Sequence, residues 1–314
     1  MNFILQAVLL VVGFTMLIKG ADWFVEGASK VADRFGIPQI IIGLTIVAMG
    51  TSAPEAAISI SAAMKGSAAI TIGNVLGSNI LNVLIILGIT AIVTTLPVQK
   101  STLKVEMPFV IFISALLPFL GLVDGVIGRL DAVILSALFI AFFIYLFKTA
   151  KNGVDVGEEV DNETKDEKLG ELVFLIILGM GLIVWGSDVT VNAATEIARM
   201  FGMSERIIGL TIVAFGTSLP ELITSVTAAK KGKADIAIGN IIGSNIFNIL
   251  FVVGMTGLIT PVVYSTGFLI DSAVCTTSAI LLLVCVLKNE KLTKNGGILL
   301  VLSYAAYFVY LIRG

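Results

Sequence analysis

The sequence predicts an all-α membrane protein of ten transmembrane helices, built as two inverted five-helix repeats. Three observations carry that expectation: a composition too apolar for water, ten apolar runs of membrane-crossing length, and motifs that recur at one fixed offset. Of 314 residues, 57% are hydrophobic and only 13% charged, with mean hydropathy +1.04. A soluble domain averages about a quarter charged residues. This chain has too little polar surface to cover itself in water, so lipid must be its solvent.

Apolar runs near the ~20 residues that cross a bilayer lie at roughly 3–20, 37–64, 69–95, 105–122, 130–147, 171–190, 206–229, 235–260, 267–287 and 296–312. The first reads as a retained helix, since no basic stretch precedes it and no clear small-residue cleavage site follows. Cys275 and Cys285 both fall in the ninth run and read as packing residues. The absence of histidine removes the usual ligand for transition metals and the usual neutral-pH proton switch. A net charge of −2 suggests no polyanionic partner, so no nucleic acid is expected, and no obligate protein partner is evident.

Basic residues set the orientation. With the N-terminus outside, the inside loops hold Lys30, Arg34, Lys100, Lys104, Lys148, Lys151, Lys165, Lys168, Lys230, Lys231, Lys233, Lys288, Lys291 and Lys294. The outside loops hold only Lys65, Arg129, Arg199, Arg206 and Arg313. The positive-inside rule then places both termini outside.

The repeat divides the chain. Gly43-Leu-Thr-Ile-Val-Ala-Met-Gly-Thr-Ser-Ala-Pro-Glu55 is echoed by Gly209-Leu-Thr-Ile-Val-Ala-Phe-Gly-Thr-Ser-Leu-Pro-Glu221. Gly73-Asn-Val-Leu-Gly-Ser-Asn-Ile-Leu-Asn-Val-Leu84 is echoed by Gly239-Asn-Ile-Ile-Gly-Ser-Asn-Ile-Phe-Asn-Ile-Leu250. Both pairs are offset by 166 residues, as are Gly20-Ala-Asp22 with Gly186-Ser-Asp188 and Lys65-Gly66 with Lys231-Gly232. The division is then 1–148 as the first repeat, 149–170 as an acidic cytoplasmic linker and 171–314 as the second repeat. An odd number of spans per half makes the second half enter from the opposite side, so the halves are inverted, an arrangement suited to a transporter. The linker region carries Asp155, Glu158, Glu159, Asp161, Glu163, Asp166 and Glu167. It lacks the ligand spacing and glycine turn of an EF-hand and reads as a solvated connection.

Glu55 and Glu221 lie inside apolar runs, with no lysine or arginine in either motif to neutralise them. A charge at mid-membrane costs about 2.5–3.5 kcal/mol on insertion scales, so an intramembrane carboxylate is a functional-site candidate. A bound cation supplies the missing counter-charge. Thr51, Ser52 and Glu55 cluster on one side of a helix, as do Thr217, Ser218 and Glu221, while Ser78 shares a face with Asn82 and Ser244 with Asn248. Gly50, Pro54, Gly216 and Pro220 should break or kink their helices at one depth and free backbone carbonyls toward a cavity. This all-oxygen donor set suits hard cations such as Ca²⁺ or Na⁺. The paired small residues of Gly73-x-x-x-Gly77 and Gly239-x-x-x-Gly243 read as close helix packing. Asp22 and Asp188, near the ends of their runs, read as polar structural contacts.

These motifs resemble those of the sodium/calcium exchanger family, prokaryotic type, within the cation/calcium antiporter superfamily. The resemblance covers essentially the whole chain. It implies ions bound between the second, third, seventh and eighth helices, with Glu55 and Glu221 as shared central ligands for Ca²⁺ or Na⁺. It further implies oxygens from Thr51, Ser52, Thr217 and Ser218, carbonyls from Ala48 and Ala214, and completion of the site by Ser78, Asn82, Ser244 and Asn248. Alternating access would come from the first and sixth helices sliding against the rest. The resemblance also implies a cell membrane location, and no cofactor beyond the transported Ca²⁺ and Na⁺.

One feature departs from the family. Several relatives carry aspartate where Asn248 stands, so this site holds at most two formal negative charges, matched by one Ca²⁺, two Na⁺ or two protons. The alternatives to Na⁺/Ca²⁺ exchange are H⁺/Ca²⁺ exchange, a K⁺-dependent variant, and, in a different class, a cation channel, which saturable counterflow would exclude. An intramembrane enzyme is disfavoured, because no base stands beside the motif serines.

Overall fold

Within lipid, a backbone must satisfy its own hydrogen bonds as a helix or a closed barrel, and the apolar runs form helices. In the computed structural model the described residues are 3–65, 68–155, 168–202 and 214–313. The helices are α1 (Phe3–Phe35), α2 (Gln39–Thr51), α3 (Ala53–Met64), α4 (Ile70–Val93), α5 (Lys100–Asp124) and α6 (Arg129–Asp155). They continue as α7 (Leu169–Met200), the single turn α8 (Ala214–Thr217), α9 (Leu219–Lys230), α10 (Ala234–Ile259), α11 (Phe268–Leu287) and α12 (Lys294–Arg313).

Among the described residues, eight helices are long and apolar enough to cross a membrane, and α2 with α3 forms a ninth span bent by 49°. The chain is a multi-pass membrane protein. Of the run expected at 206–229, residues 206–213 lie outside the described set, with Gly209–Val213 of the second motif among them. The remainder forms α8 and α9. The expected linker is helical as far as Asp155 and again from Leu169, and residues 156–167 of it lie outside the described set.

The first and sixth spans are longer than their apolar runs. Past residues 20 and 190 the chain turns polar but stays helical, helped by close pairs along the surface: Glu26 with Lys30 at 2.9 Å and Glu196 with Arg199 at 2.6 Å. Asp22 therefore stands mid-helix rather than near a helix end. Its polar contact is an ion pair with Lys231 at 3.3 Å, while Asp188 is exposed.

Burial separates the centre from the rim. The apolar window of α10 is 94% buried and that of α4 is 83%, against 22% for α1 and α7. The site-bearing helices therefore form the core, and α1 and α7 lie along each other at its edge. Their backbones touch at glycines: a Cβ on Gly20 would stand 2.8 Å from the Gly179 carbonyl, and one on Gly179 would stand 2.7 Å from the Gly20 carbonyl. Close approach through small residues is how membrane helices gain packing without a hydrophobic drive. The same device seats α10 on α2, where a Cβ on Gly243 would stand 2.6 Å from the Leu44 carbonyl.

Two short antiparallel pairs tie the helix ends. β1 (Leu96–Pro97) pairs with β4 (Lys291–Leu292), and β2 (Val126–Ile127) pairs with β3 (Val262–Val263). The loops on either side of Lys100 and of Lys288 and Lys291 thus share one end of the molecule. Lys100 pairs there with Glu290 at 3.6 Å, Gln99 donates to Asp235 at 2.6 Å, and Lys233 lies 3.8 Å from Asp33.

Candidate cation-binding site

Two helix breaks build the site. Ser52 (φ −86°, ψ 8°) ends α2, and α3 starts at once with Pro54 in its first turn; Ser218 (φ −93°, ψ 5°) and Pro220 repeat this between α8 and α9. A proline is at ease at a helix start, where its missing N–H would be unpaired anyway. The break falls at the serine between the expected Gly50 and Pro54, and between Gly216 and Pro220. It places Glu55 and Glu221 in the first turns of α3 and α9, where the helix dipole favours a carboxylate. The preceding half-helices end at the same point, so their terminal carbonyl dipoles favour a cation there.

Three π-helical turns surround the breaks: Gly43–Val47 in α2, Asn82–Leu87 in α4 and Phe247–Val253 in α10. Such turns often mark functional sites. Asn82 opens one of them and Asn248 lies in another. Nothing in the residue pattern announces them.

The halves meet at the carboxylates. The Ser52 hydroxyl donates to Glu221 Oε1 at 2.9 Å, with Thr51 alongside. The Thr51 hydroxyl also reaches Asn240 Oδ1 at 2.9 Å. Ser78 stands beside Glu55. The Ser244 hydroxyl lies 3.5 Å from the Ala48 carbonyl, which also accepts the Ser52 N–H at 3.0 Å.

Burial is nearly complete. Glu55, Glu221, Thr51, Ser52, Ser78, Asn82, Ser218, Ser244 and Asn248 are all buried, Thr217 is half-buried, and Ala214 opens α8. Both Glu55 carboxylate oxygens, Glu221 Oε2, Ser218 Oγ, Asn82 Oδ1 and Asn248 Oδ1 are buried without a hydrogen-bond partner among the described residues. No lysine or arginine pairs with either glutamate there. Buried polar atoms are rarely left unpaired, and buried charges are paired or coordinate metals. These six atoms are all able to coordinate a hard cation.

Six further side chains support the site. Asn74 Nδ2 donates to the Glu55 carbonyl at 3.2 Å and to Ser59 Oγ at 2.9 Å. Asn240 Nδ2 does the same toward the Glu221 carbonyl at 3.5 Å and Ser225 Oγ at 2.9 Å. Asn79 and Asn245 cross-link α4 to α10. The sequence reading singled out none of these six; all recur at the 166-residue offset, the one signal that could have found them, although it could not say what they touch.

Comparison with known proteins gives the family. A family model described as sodium/calcium exchanger protein matches residues 5–148 and 171–313. The chain belongs to that family. It is 38% identical to a putative antiporter, CaxA, of Alkalimonas amylolytica, covering 97% of this chain and 98% of the relative. It is 36% identical to the inner membrane protein YrbG of Escherichia coli (98% and 97% covered), and 32% identical to the sodium/calcium exchanger MaX1 of Methanosarcina acetivorans (96% and 97%). A solved structure of the sodium-calcium exchanger NCX_Mj, soaked with zero Na⁺ and Ca²⁺, superposes with a TM-score of 0.84 at 32% identity, covering 99% of this chain and all of that one.

Proposed function

We propose that this protein is a secondary active antiporter exchanging Ca²⁺ for Na⁺ by alternating access, with the ions held mid-membrane by Glu55 and Glu221. The observation that carries the reading is the set of six buried oxygens, three of them carboxylate oxygens of Glu55 and Glu221, that find no hydrogen-bond partner and no basic side chain among the described residues. Two negative charges in a low-dielectric site are stable only with a counter-charge, and one Ca²⁺ or two Na⁺ provide it equally. Competition for that charge is the coupling: one kind of ion must leave before the other binds.

The remaining oxygens come from Thr51, Ser52, Thr217, Ser218, Ser78, Asn82, Ser244 and Asn248, and from the carbonyls of Ala48 and Ala214. The fold is ten helices in two inverted repeats, 1–148 and 171–314, joined by the cytoplasmic acidic linker, with both termini outside the cell membrane. The shared 166-residue register and the β1–β4 and β2–β3 pairings support it, because each pairing joins loops that this topology puts on one side. The glycine contact between α1 and α7 holds those two helices together as they slide against the rest. With each tenfold ion gradient worth about 1.4 kcal/mol, two Na⁺ entering down a tenfold gradient support roughly a hundredfold Ca²⁺ gradient.

The test is ⁴⁵Ca²⁺ uptake into sealed liposomes holding the purified protein, loaded either with Na⁺ or with K⁺ at acid pH. Uptake driven by internal Na⁺ and saturating with Ca²⁺ is the expected result. Uptake driven only by the proton gradient would reassign the coupling ion, and non-saturating flux would indicate a channel.

A further inference from the structure

We infer that Asn79 and Asn245 set the polarity of the cation site, by fixing which end of each neighbouring amide faces the ions. This rests on the reading above that Asn82 and Asn248 are ligands. A carboxamide is nearly symmetric in shape and opposite in polarity at its two ends: the oxygen attracts a cation, and the NH₂ repels it. Something must therefore choose the end.

The choice begins at two backbone carbonyls, which only accept. Asn79 Nδ2 donates to the Asn245 carbonyl at 3.2 Å, and Asn245 Nδ2 donates to the Asn79 carbonyl at 3.3 Å. Both NH₂ groups are committed there, so the Oδ1 atoms of Asn79 and Asn245 are acceptors. Asn248 Nδ2 then donates to Asn79 Oδ1 at 3.1 Å, and Asn82 Nδ2 donates to Asn245 Oδ1 at 3.0 Å. With their NH₂ groups held between α4 and α10, Asn82 and Asn248 keep Oδ1 buried and without a partner among the described residues. The hydrogen-bond network assigns every amide in the chain.

All four asparagines are at most 2% exposed, so water cannot substitute for a lost bond. A flipped Asn82 would set its Oδ1 against Asn245 Oδ1 and turn NH₂ into the site. Asn79 and Asn245 bind no ion themselves; they are positioning residues, and each acts on the ligand of the other half.

The inference predicts an interaction between positions. Asn245→Leu removes the acceptor for Asn82, and apparent Ca²⁺ affinity of the full-length protein, read by Ca²⁺-dependent thermal shift and half-saturation of uptake, should fall about tenfold, as when a partner behind a metal ligand is lost. Asn82→Asp presents oxygen whichever way it turns. Adding Asn245→Leu to Asn82→Asp should therefore cost less than about twofold, a coupling that a double-mutant cycle isolates. An equal loss in both backgrounds would mean a merely structural role and would overturn the inference. Isosteric Asn245→Asp keeps an acceptor for Asn82 and should bind Ca²⁺ at least as well as Asn245→Leu by several fold; equal loss in the two variants would also overturn it. If Asn245→Leu does not fold, Asn79→Leu against Asn248→Asp reads the same cycle on the other helix. Asn82→Leu alone tests the reading beneath: unchanged Ca²⁺ affinity there would show that Asn82 is no ligand, whatever the cycle gives.

Discussion

Ser52, at the break between α2 and α3, donates its hydroxyl to Glu221, the buried carboxylate of the other half, at 2.9 Å. A hydrogen bond to a charged group contributes about 1.5–3 kcal/mol, and this one spans the two halves. Ser52→Ala should therefore lower the melting temperature of the ion-free protein by several degrees, with Ca²⁺ recovering part of the loss by balancing the carboxylate charge that the hydroxyl had stabilised. A melting temperature equal to wild type would mean that the contact is dispensable.

The ion pair of Lys231 with Asp22 joins the turn after α9 to the middle of α1, and Lys231 also donates to the Asp22 carbonyl at 3.0 Å. Both side chains are about one-third exposed, and such pairs contribute about 0–1 kcal/mol. The equivalent positions, Lys65 and Asp188, form no ion pair among the described residues. If α1 moves against the core during transport, the Lys231 pair exists in one state only. Lys231→Ala should leave stability nearly unchanged yet alter the apparent Ca²⁺ affinity at one membrane face by up to about fivefold, measured by uptake in the two protein orientations. Identical affinities at both faces, before and after substitution, would contradict this.

Contact between α1 and α7 depends on the missing Cβ atoms of Gly20 and Gly179. Gly20→Ala introduces a methyl against a backbone carbonyl that cannot move aside like a side chain. Overpacking of this kind costs about 1–3 kcal/mol. Thermal unfolding should show the loss, and uptake rate should fall with it, because α1 and α7 must stay joined while they move against the core. Gly170→Ala, where nothing stands within 4 Å, is the control expected to change neither.

Much of this was legible in the residues. Composition and run length give the membrane class and most helices, because lipid makes hydropathy nearly equivalent to topology. The repeat gives Glu55, Glu221 and their flanking hydroxyls, because a charge in an apolar run has few structural uses. What stayed hidden depends on three-dimensional register. The polar continuation of α1 to Phe35 follows from helical pairing after hydropathy has failed. The π turns at Asn82 and Asn248 have no pattern of their own. Asn79 and Asn245 sit in plain view within the repeated motif, yet their role appears only when α4 is laid against α10 and each NH₂ is seen to reach the other's backbone.

The most direct test of a shared two-carboxylate site is Ca²⁺-dependent thermal stabilisation of purified wild type, Glu55→Gln and Glu221→Gln. Each substitution removes a buried charge while keeping its shape. The account predicts that both variants are at least as stable as wild type without Ca²⁺, since an unpaired buried charge is lost, and that neither is stabilised further by Ca²⁺. Wild-type-like stabilisation of either variant by Ca²⁺ would show that its carboxylate does not hold the ion, and would contradict the site proposed here.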